Sequence, residues 1–381
     1  MNILVLGAGR MAYGFVFDML KNKNIQKIVV VDREQSALDT MKAHFNNPLL
    51  SFNCIEADSL YQLKPLFKNV SGVISAVPYD YNLDLTELAI ENGAHFVDLG
   101  GNNTVVERQF RLDHKAKENN VGIVPDCGLA PGMVSIVAAY AMDQLARVDD
   151  VKIRVGGLPL SPQTPLKYKI VFSVHGLINE YIEPTVVIED GKIKKVESMT
   201  GLETLDFPHP FGKLEAFYTS GGTSTLPQTF EKDVINLDYK TIRYPGHASL
   251  MKAMIDLGFT EKKAHFDFDG QSVNTRAAFE AMLNSLLSYE SEDVALIRVE
   301  AKGQKEGREK VVSYQAIEYE DKKNNLTAMM RTTAFPASII LQMLIEGKIK
   351  DRGVLKQELS IPGFEFMCEL EKRGIYFDKN E

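Results

Sequence analysis

The chain opens with NILVLGAGRMA (Asn2–Ala12), an apolar run that passes through two glycines into an amphipathic stretch. A GxGxxA spacing between a predicted strand and a predicted helix is typical of dinucleotide-binding units. Gly7 permits the tight turn, Gly9 lets the backbone approach a pyrophosphate, and Ala12 lets the helix pack closely on the strand. Unpaired N–H groups at the start of that helix favour phosphate binding. The pattern therefore predicts a Rossmann unit at the start of the chain.

The position of Asp32 indicates which dinucleotide binds. This residue closes the second predicted strand, where an acid accepts hydrogen bonds from ribose hydroxyls and repels a 2′-phosphate. Arg33 follows it and offers a 2′-phosphate partner as the alternative, but the acid favours NAD over NADP. The stretch Ser75–Tyr79 ends another strand and either borders the nicotinamide or is only a strand end with a packed tyrosine. We expect cofactor contacts from Gly7, Gly9, Arg10, Met11, Asp32, Arg33, Asp58, Ala76, Val77, Pro78 and Tyr79.

The first 128 residues alternate short β-branched runs with amphipathic stretches, which is typical of a doubly wound parallel sheet. The predicted strands are Asn2 to Leu6, Lys27 to Val31, Ser51 to Cys54, Val70 to Ala76, His95 to Val97 and Gly122 to Pro125. The predicted helices are Met11 to Lys21, Gln35 to Phe45, Leu83 to Asn92 and Val106 to Asn119. The near-continuous apolarity of the strands indicates burial on both faces.

The pattern changes after residue 128, where alternating segments predict an inserted α+β domain with an open, mainly antiparallel sheet. Its predicted strands are Val151 to Val155, His265 to Phe268, Ala295 to Glu300, Val311 to Tyr319 and Leu326 to Thr333. Its predicted helices are Met133 to Leu145, beginning at Pro131, and Val273 to Leu287. An amphipathic stretch from Pro336 to Gly347 predicts a helix that returns to the first domain. The predicted domains are therefore residues 1–128 plus 334–381 for NAD binding, and 129–333 for substrate binding and dimerisation.

Composition excludes several classes of protein. The formal net charge is −8 and the Lys and Arg residues are scattered, so neither nucleic acid nor an anionic membrane is an expected partner. No apolar run approaches the roughly 20 residues that span a bilayer, and the opening residues lack a basic leader, which predicts a cytoplasmic protein. Three cysteines and seven histidines, without the spacings of disulfide frameworks or zinc sites, predict no metal.

Four polar, glycine-rich clusters are more distinctive than ordinary connecting loops. They are Asp98–Asn102, Pro125–Gly132, Leu214–Thr225 and Lys240–His247. The first two follow the fifth and sixth predicted strands, at the edge of the sheet where ligands of open α/β sheets bind.

At this point the sequence resembles the saccharopine dehydrogenase family, and within it the lysine 6-dehydrogenases. The matching stretches run in family order from Gly7 to Ala334 and cover nearly the whole chain: GAGRMAYG, SAVPY, VDLGG, VPDCGLAPGM, VGGLP, EAFYTSGGTSTL, YKTIRYPGH and TAMMRTTA. EAFYTSGGTSTL and YKTIRYPGH are the specific ones. The resemblance implies oxidation of the lysine ε-amine carbon by NAD, release of ammonia and cyclisation of the semialdehyde to a piperideine carboxylate. Cys127 lies where relatives vary, so its thiol receives no role.

That reaction needs a group that accepts and returns protons near the cofactor. Asp126 is the first candidate, since burial beside Gly128 and Leu129 raises the pKa of a carboxyl. Its alternative is a turn or cap residue for Pro131 and Gly132. Asp98 is the second candidate, and its alternative is to anchor the turn that follows it.

The substrate carboxylate needs a cation, and the planar guanidinium of Arg243 suits bidentate binding. His247 lies four residues on and is a second candidate for that ligand. Thr223, Ser224 and Thr225 offer hydroxyl donors to substrate or form only a turn. Tyr168 belongs to a stretch that we expect to line a cleft between the domains.

The predicted partner is a small amino-acid substrate bound in that cleft, with domain closure on binding and a homodimer as the expected assembly. Two other functions remain open. One is a saccharopine or opine-type reductase of the same family, which needs room and a second cationic anchor for an extra carboxylate. The other is a non-catalytic dinucleotide-binding protein.

Overall fold

The computed structural model describes residues 1–380, which form two compact domains. The first domain comprises Met1–Tyr140 and Met330–Tyr376, and the second comprises Ala141–Met329 with residues 377–380. The predicted boundaries at 128 and 334 are therefore displaced. The helix after Gly132 stays with the first domain, and the last residues pair with a strand of the second.

The first domain begins with regularly alternating strands and helices. In chain order these are β1 (Asn2–Leu6), α1 (Arg10–Met19), β2 (Lys27–Asp32), α2 (Gln35–Phe45), β3 (Leu50–Cys54), α3 (Leu60–Phe67), β4 (Gly72–Ser75), α4 (Asn82–Glu91), β5 (His95–Asp98), α5 (Asn103–Phe110), α6 (Asp113–Glu118), β6 (Gly122–Val124) and α7 (Met133–Met142). The single helix predicted from Val106 to Asn119 is wrong, since α5 and α6 are separate. The start predicted for α7 at Pro131 is also wrong. Gly132 has φ +124°, which no residue of a right-handed helix adopts, so the helix begins after it.

The second domain is rich in strands, which explains the alternating sequence pattern. Its elements are β7 (Arg147–Pro159), α8 (Val174–Ile182), β8 (Thr185–Glu189), β9 (Lys192–Val196), β10 (Glu203–Phe207), β11 (Gly212–Tyr218), α9 (Leu226–Phe230), β12 (Asn236–Arg243), α10 (His247–Asp256), β13 (His265–Phe268), β14 (Gln271–Asn274), α11 (Thr275–Leu287), β15 (Asp293–Lys305) and β16 (Arg308–Tyr319).

The C-terminal elements return to the first domain, as the amphipathic pattern predicts. They are α12 (Ala328–Ile345), β17 (Gly353–Val354), α13 (Gln357–Ser360) and α14 (Gly363–Lys372), followed by β18 (Asp378–Asn380) in the second domain. The strand predicted from Leu326 to Thr333 is wrong, because most of it forms the first turns of α12. This 18-residue helix is apolar enough to cross a membrane, but 78% of it is buried inside the protein, as expected of a core helix.

All seven strands of the first-domain sheet are parallel, in the order β17-β6-β5-β4-β1-β2-β3. The side chains of Ile3, Leu4 and Val5 are completely buried, as expected for a central strand covered on both faces. The chain builds the sheet outward from β1 in one direction and then from β4 in the other. The loops after these two adjacent strands therefore diverge at the carboxyl edge, which is where ligands bind open α/β sheets.

The nine-stranded sheet of the second domain has the main order β10-β11-β12-β7-β15-β16-β18, with β8 paired to β12 and β9. Only β12 and β7 run parallel, so the prediction of a mainly antiparallel sheet is confirmed. Strands β13 and β14 form a separate hairpin. A cluster of buried apolar side chains from α8, α10 and α11 includes Ile178, Met251 and Phe279.

Candidate functional site

The glycine loop after β1 has the backbone geometry that a dinucleotide site needs. Gly7 has φ +105°, and a Cβ atom there would lie 3.1 Å from the carbonyl oxygen of Ala76, so any side chain would be strained. At Gly9 a Cβ atom would meet nothing within 4 Å, so the space above this residue is open. Gly9 caps α1 without a side-chain hydrogen bond, which leaves the first N–H groups of the helix available to an anion.

Asp32 holds the loop to the end of β2. Its carboxylate accepts hydrogen bonds from the backbone N–H of Ala8 at 2.6 Å and of Glu34 at 2.8 Å. Arg33 points away into solvent, with its side chain 62% exposed and its guanidinium 3.5 Å from Glu34. An open loop, an uncapped helix end and an acid at the end of β2 together fit a dinucleotide with its pyrophosphate over α1 and its ribose beside Asp32.

The other predicted cofactor residues lie at the same carboxyl edge. Ala76 and Val77 follow β4 and are half-buried, and Pro78 is exposed beside them. The ring of Tyr79 lies so close to Gly101 that a Cβ on the glycine would be 3.1 Å from it, which joins the loops after β4 and β5. Arg10, Met11 and Asp58 occupy the start of α1 and the exposed turn after β3.

Asp98 connects the loops that follow β5 and β6. It is fully buried, and its carboxylate accepts hydrogen bonds from the backbone N–H of Gly100 at 2.7 Å, the side chain of Gln109 at 2.7 Å and the backbone N–H of Asp126 at 3.3 Å. Burial raises the pKa of Asp98, and these three donors oppose that rise. A carboxylate held by three donors and closed to solvent positions its neighbours, which matches the turn-anchoring alternative.

Asp126 is the second carboxylate of this arrangement and is 2% exposed. Its backbone has φ +60°, a left-handed conformation that costs energy for any residue except glycine and is concentrated at functional sites. The side chain passes over Gly100, where an added Cβ would lie 1.5 Å from Asp126 Oδ1, so only glycine fits. The Gln357 side chain donates to the Asp126 carbonyl oxygen and fixes the strained peptide from the other side.

Cys127 has no exposed thiol. Its Sγ donates to the carbonyl oxygen of Val124 at 3.1 Å, and burial raises its pKa well above the usual value. The thiol is therefore protonated and structural, which agrees with the absence of a role in the sequence analysis.

In the second domain, three of the predicted substrate residues meet in one buried cluster. The guanidinium of Arg243 lies 4.8 Å from the centre of the Tyr168 ring, and the ring of Tyr168 lies 5.5 Å from that of His247. Tyr181, which the sequence analysis missed, joins them by accepting a hydrogen bond from Arg243 Nε at 2.8 Å. All four side chains are at most 3% exposed.

The hydrogen bonds of this cluster fix the protonation of His247. Tyr181 Oη already accepts from Arg243, so its own hydrogen is directed to His247 Nε2 at 3.0 Å. His247 Nδ1 then donates to the carbonyl oxygen of Leu166 at 2.9 Å. Burial and the charge of Arg243 lower the pKa of His247 to about 3, so the ring is neutral at physiological pH. His247 thus orients Tyr181 and carries no positive charge for a carboxylate.

Arg243 differs from the other buried cations of its domain. Within residues 1–380 it has no carboxylate within 4.0 Å, and its partners are Tyr181 and the carbonyl oxygen of Ile242. The other buried cations each contact acids: Arg154 with Glu203 and Asp238, Lys240 with Glu203, and Arg276 with Glu280. An unpaired buried cation is costly, which makes Arg243 the natural partner of an anionic ligand.

Strand β12 places Arg243 in a row with Tyr239 and Thr241, because alternate residues of a strand share one face. The loop 219–222 covers this row. Thr219 and Thr241 hydroxyls are 2.7 Å apart, and a Cβ at Gly222 would lie 2.3 Å from the ring of Tyr239. This close packing explains Gly222 of the EAFYTSGGTSTL stretch, and the φ of +90° explains Gly221.

The three hydroxyl donors predicted from the sequence lie in the turn before α9. Thr223 is buried and its hydroxyl donates to the Val186 carbonyl oxygen at 3.3 Å. Ser224 and Thr225 complete the turn before α9, and Ser224 has φ +45°. Sequence analysis also missed Glu215, whose carboxylate accepts from the N–H groups of Gly246 and Ala248 and so ties EAFYTSGGTSTL to YKTIRYPGH.

A cavity occurs in each of the two domains. One, of about 250 Å³ in the first domain, borders Asp18, whose carboxylate is already bound by Arg373, Ser338 and Gln342. The other, of about 630 Å³ in the second domain, is bordered by Tyr181 of the Arg243 cluster and by exposed charged side chains such as Lys262. Among residues 1–380 no group of three or more His, Cys, Asp or Glu side chains is arranged to hold a metal ion.

Family models match almost the whole chain. The model of the saccharopine dehydrogenase NADP binding domain matches residues 3–124, and that of the saccharopine dehydrogenase C-terminal domain matches residues 128–375. The chain belongs to the saccharopine dehydrogenase family. The family resemblance inferred from the sequence motifs is thereby confirmed, and the match of residues 3–124 to a dinucleotide-binding domain indicates a nicotinamide dinucleotide cofactor.

Relatives within this family are distant. The NADP(+), L-glutamate-forming saccharopine dehydrogenase of Pyricularia oryzae is 25% identical over 195 residues, which cover 49% of this chain and 43% of that protein. Mitochondrial alpha-aminoadipic semialdehyde synthase of Mus musculus is 22% identical over 274 residues, or 69% of this chain and 29% of that protein. The matches therefore span less than half the length of both. Carboxyaminopropylagmatine dehydrogenase of Synechocystis is 20% identical, over 98% of this chain and 96% of that protein.

Two solved structures share the fold. Apo saccharopine dehydrogenase (L-Glu forming) from Saccharomyces cerevisiae superposes with a TM-score of 0.82 at 19% identity, covering 100% of this chain and 99% of that one. Homospermidine synthase from Legionella pneumophila in complex with NAD has a TM-score of 0.68 at 12% identity, covering 100% and 91%. The fold class predicted from sequence is confirmed by this similarity.

Proposed function

We propose that the protein is an oxidoreductase that oxidises the ε-amine carbon of L-lysine with NAD and releases ammonia, leaving the 6-semialdehyde to cyclise. The observation that carries this proposal is Arg243, a buried cation that contacts no carboxylate within residues 1–380 and lies in a cluster of aromatic and hydroxyl groups. One buried guanidinium that contacts no protein carboxylate supports a substrate with one carboxylate. Lysine has one, whereas saccharopine carries more.

The residues of the first domain supply proton transfer in this proposal. When bound, the nicotinamide accepts the hydride that leaves the ε-carbon. Asp126 takes the proton that the amine must lose beforehand and assists water in attacking the imine that follows. Asp98 acts as a positioning residue, since its three hydrogen bonds hold the Gly100 turn and the Asp126 backbone in place.

The preference for NAD over NADP rests on Asp32. Its carboxylate lies at the end of β2 and is oriented by Ala8 and Glu34, where a 2′-phosphate would meet a negative charge. Asp32→Ser should weaken NADH binding by about tenfold and improve NADPH binding, as measured by titrating the fluorescence of each reduced cofactor. Asp39→Ser, on the exposed face of α2, is the control. An unchanged ratio of the two affinities would remove Asp32 from the ribose site.

The distant relatives support a second candidate, a reductase that joins an amine to a keto acid or aldehyde, since two of them are named saccharopine and carboxyaminopropylagmatine dehydrogenases. The two candidates predict different assays. Lysine with NAD should yield NADH and ammonia in equal amounts under the first. Under the second, lysine gives nothing, and semialdehyde with glutamate consumes NADPH.

A further inference from the structure

Strands β13 and β14 form a hairpin that belongs to neither of the two large sheets. All four residues of β13 are exposed, and Phe266 and Phe268 keep 46% and 64% of their surface open. Alternate residues of a strand share a face, so the two rings lie side by side on one face of the hairpin. A two-stranded hairpin by itself is marginally stable in water, so a further strand on its edge would stabilise it.

The register of the hairpin shows that one edge of β13 is open. Both residues of the turn 269–270 have positive φ, and the N–H of Thr275 donates to the carbonyl oxygen of Ala264 at 3.0 Å. Only every second residue of an antiparallel strand directs its backbone groups to a given neighbour. The even-numbered residues of β13 therefore face β14, whereas the backbone groups of His265 and Asp267 point outward. Within residues 1–380 no other strand pairs with this edge.

The charges along β13 suit pairing with a second copy of the same strand. Lys262 and Lys263 precede the strand, and Asp267 and Asp269 lie at its far end. None of these four side chains forms an ion pair within residues 1–380. In an antiparallel pair the start of one strand lies beside the end of the other, so two copies place basic ends against acidic ends.

A twofold axis through Phe266 satisfies the hydrogen bonds and the charges together. It pairs His265 with Asp267 of the second copy, so that the outward backbone groups of both copies bond to each other. It also pairs Phe266 with Phe266 of the second copy at a non-hydrogen-bonded position, where side chains are closest and aromatic pairs are stabilising. An axis through Asp267 would instead oppose two carboxylates.

We propose that β13 is a dimerisation strand, which pairs antiparallel with β13 of a second copy of this chain about a twofold axis at Phe266. The two hairpins then form one four-stranded sheet. Both copies contribute the same residues, so the assembly closes at two chains and leaves no free β13 edge. The inference concerns the assembly of the protein and does not depend on the reaction that it catalyses.

Disulfide trapping tests this register directly. Phe266→Cys should link two copies, because non-hydrogen-bonded partners in antiparallel strands have Cα atoms about 4.5 Å apart, within the range of a disulfide. Phe268→Cys is the matched control. It lies on the same face of the same strand, but its counterpart in the second copy is about 14 Å away. Both variants are made in the Cys54→Ser chain, because Cys54 is an exposed native thiol.

The full-length variants are oxidised mildly and followed by non-reducing electrophoresis. Phe266→Cys should form the linked dimer at least about tenfold faster than Phe268→Cys, because the strand pair holds its two thiols together. Equal rates for the two variants, or no link in Phe266→Cys, would overturn the inference. Light scattering of the unmodified protein should give the mass of a dimer, and a monomer at every concentration would overturn the inference without any variant.

Charge reversal gives an independent measurement. Asp267→Lys places a cation opposite His265 and near the lysines that precede β13 of the second copy, so it should weaken the dimer by about tenfold. Adding His265→Asp restores opposite charges across the axis and should restore the dimer. Circular dichroism checks that each variant is folded. A dimer that is unaffected by Asp267→Lys would overturn the inference, because its interface would then lie elsewhere.

Discussion

At the scale of single residues, the two glycines of the opening motif have different structural roles. Gly9 has open space where a Cβ would be, whereas Gly7 has φ +105° and faces Ala76. We expect Gly9→Ala to change the free energy of unfolding by less than about 1 kcal/mol and to weaken NADH binding at least about tenfold, because the methyl group occupies the approach of the pyrophosphate.

Gly7→Ala serves as the comparison, since it should lower both stability and binding. Chemical denaturation of the apo-protein and fluorescence titration with NADH separate the two effects. If Gly9→Ala binds NADH normally, the pyrophosphate does not lie over α1.

The prediction for catalysis concerns Asp126, the residue proposed to transfer protons. Asp126→Asn keeps the shape of the side chain but cannot take up a proton at pH 7, so kcat with lysine should fall by about 10²- to 10⁴-fold with little change in KM. Steady-state kinetics of NADH formation measures both constants. Asp84→Asn, an exposed acid on α4, is the control. A pure rise in KM would make Asp126 a binding residue.

Sequence reasoning found the residues with distinctive neighbours and missed those without them. Arg243 and His247 lie in a cluster that contains glycine and proline. Tyr168, far away in the chain, was also predicted to be a substrate residue. Tyr181 lies in an ordinary amphipathic helix, where a buried tyrosine is unremarkable. Only its hydrogen bonds to Arg243 and His247 place it in the cluster.

At the scale of elements, α12 shows why a local pattern failed. The segment from Leu326 to Thr333 is rich in threonine, a β-branched residue that favours a strand. The helix begins there because Asp293 accepts hydrogen bonds from the N–H groups of Ala328 at 2.7 Å and Met329 at 3.0 Å. A capping acid 35 positions earlier in the chain is not visible to local reasoning.

Asp293 is accordingly predicted to stabilise α12 from outside the helix. Asp293→Ala should lower the free energy of unfolding by about 1 to 2 kcal/mol, since two N–H groups lose their acceptor. Urea denaturation followed by circular dichroism gives the value, with Asp233→Ala on an exposed turn as the control. A loss below about 0.3 kcal/mol would show that the cap is dispensable.

At the scale of the whole molecule, the parallel sheet and the C-terminal return were predictable, because strand and helix periods alternate so regularly. The return is seen in β17, which pairs with β6 at the edge of the sheet. The domain boundaries were harder to predict from the sequence. Gly132 ends one loop and α7 follows it in the same domain, and the pairing of β18 with β16 involves residues too polar to suggest a strand.

Buried neutral histidines make the stability of the whole protein depend on pH. His247 has its pKa lowered to about 3 by burial and by Arg243, and His95 has its pKa lowered to about 4, mainly by burial. Each takes up a proton on unfolding once the pH is below about 6.5, so the stability that each contributes is fully present above that pH and is lost as the pH falls toward the lowered value.

The difference in unfolding free energy between wild type and His247→Gln isolates one of these groups. It should shrink as the pH falls from 7.5 to 5.5, with a slope of at most about 1.4 kcal/mol per pH unit. His114→Gln, whose wild-type side chain is 87% exposed, should show no such slope. A constant difference across this range would mean that His247 titrates with the same pKa in the folded and the unfolded protein.

The most direct test of the lysine assignment follows a single hydrogen atom. Purified protein is incubated with NAD and L-lysine that carries deuterium on the ε-carbon, and the reduced cofactor is analysed by mass spectrometry. We predict that the cofactor gains one deuterium and that lysine labelled only at the α-carbon transfers none. Deuterium transfer from the α-carbon, or no reduced cofactor from either lysine, would contradict the account.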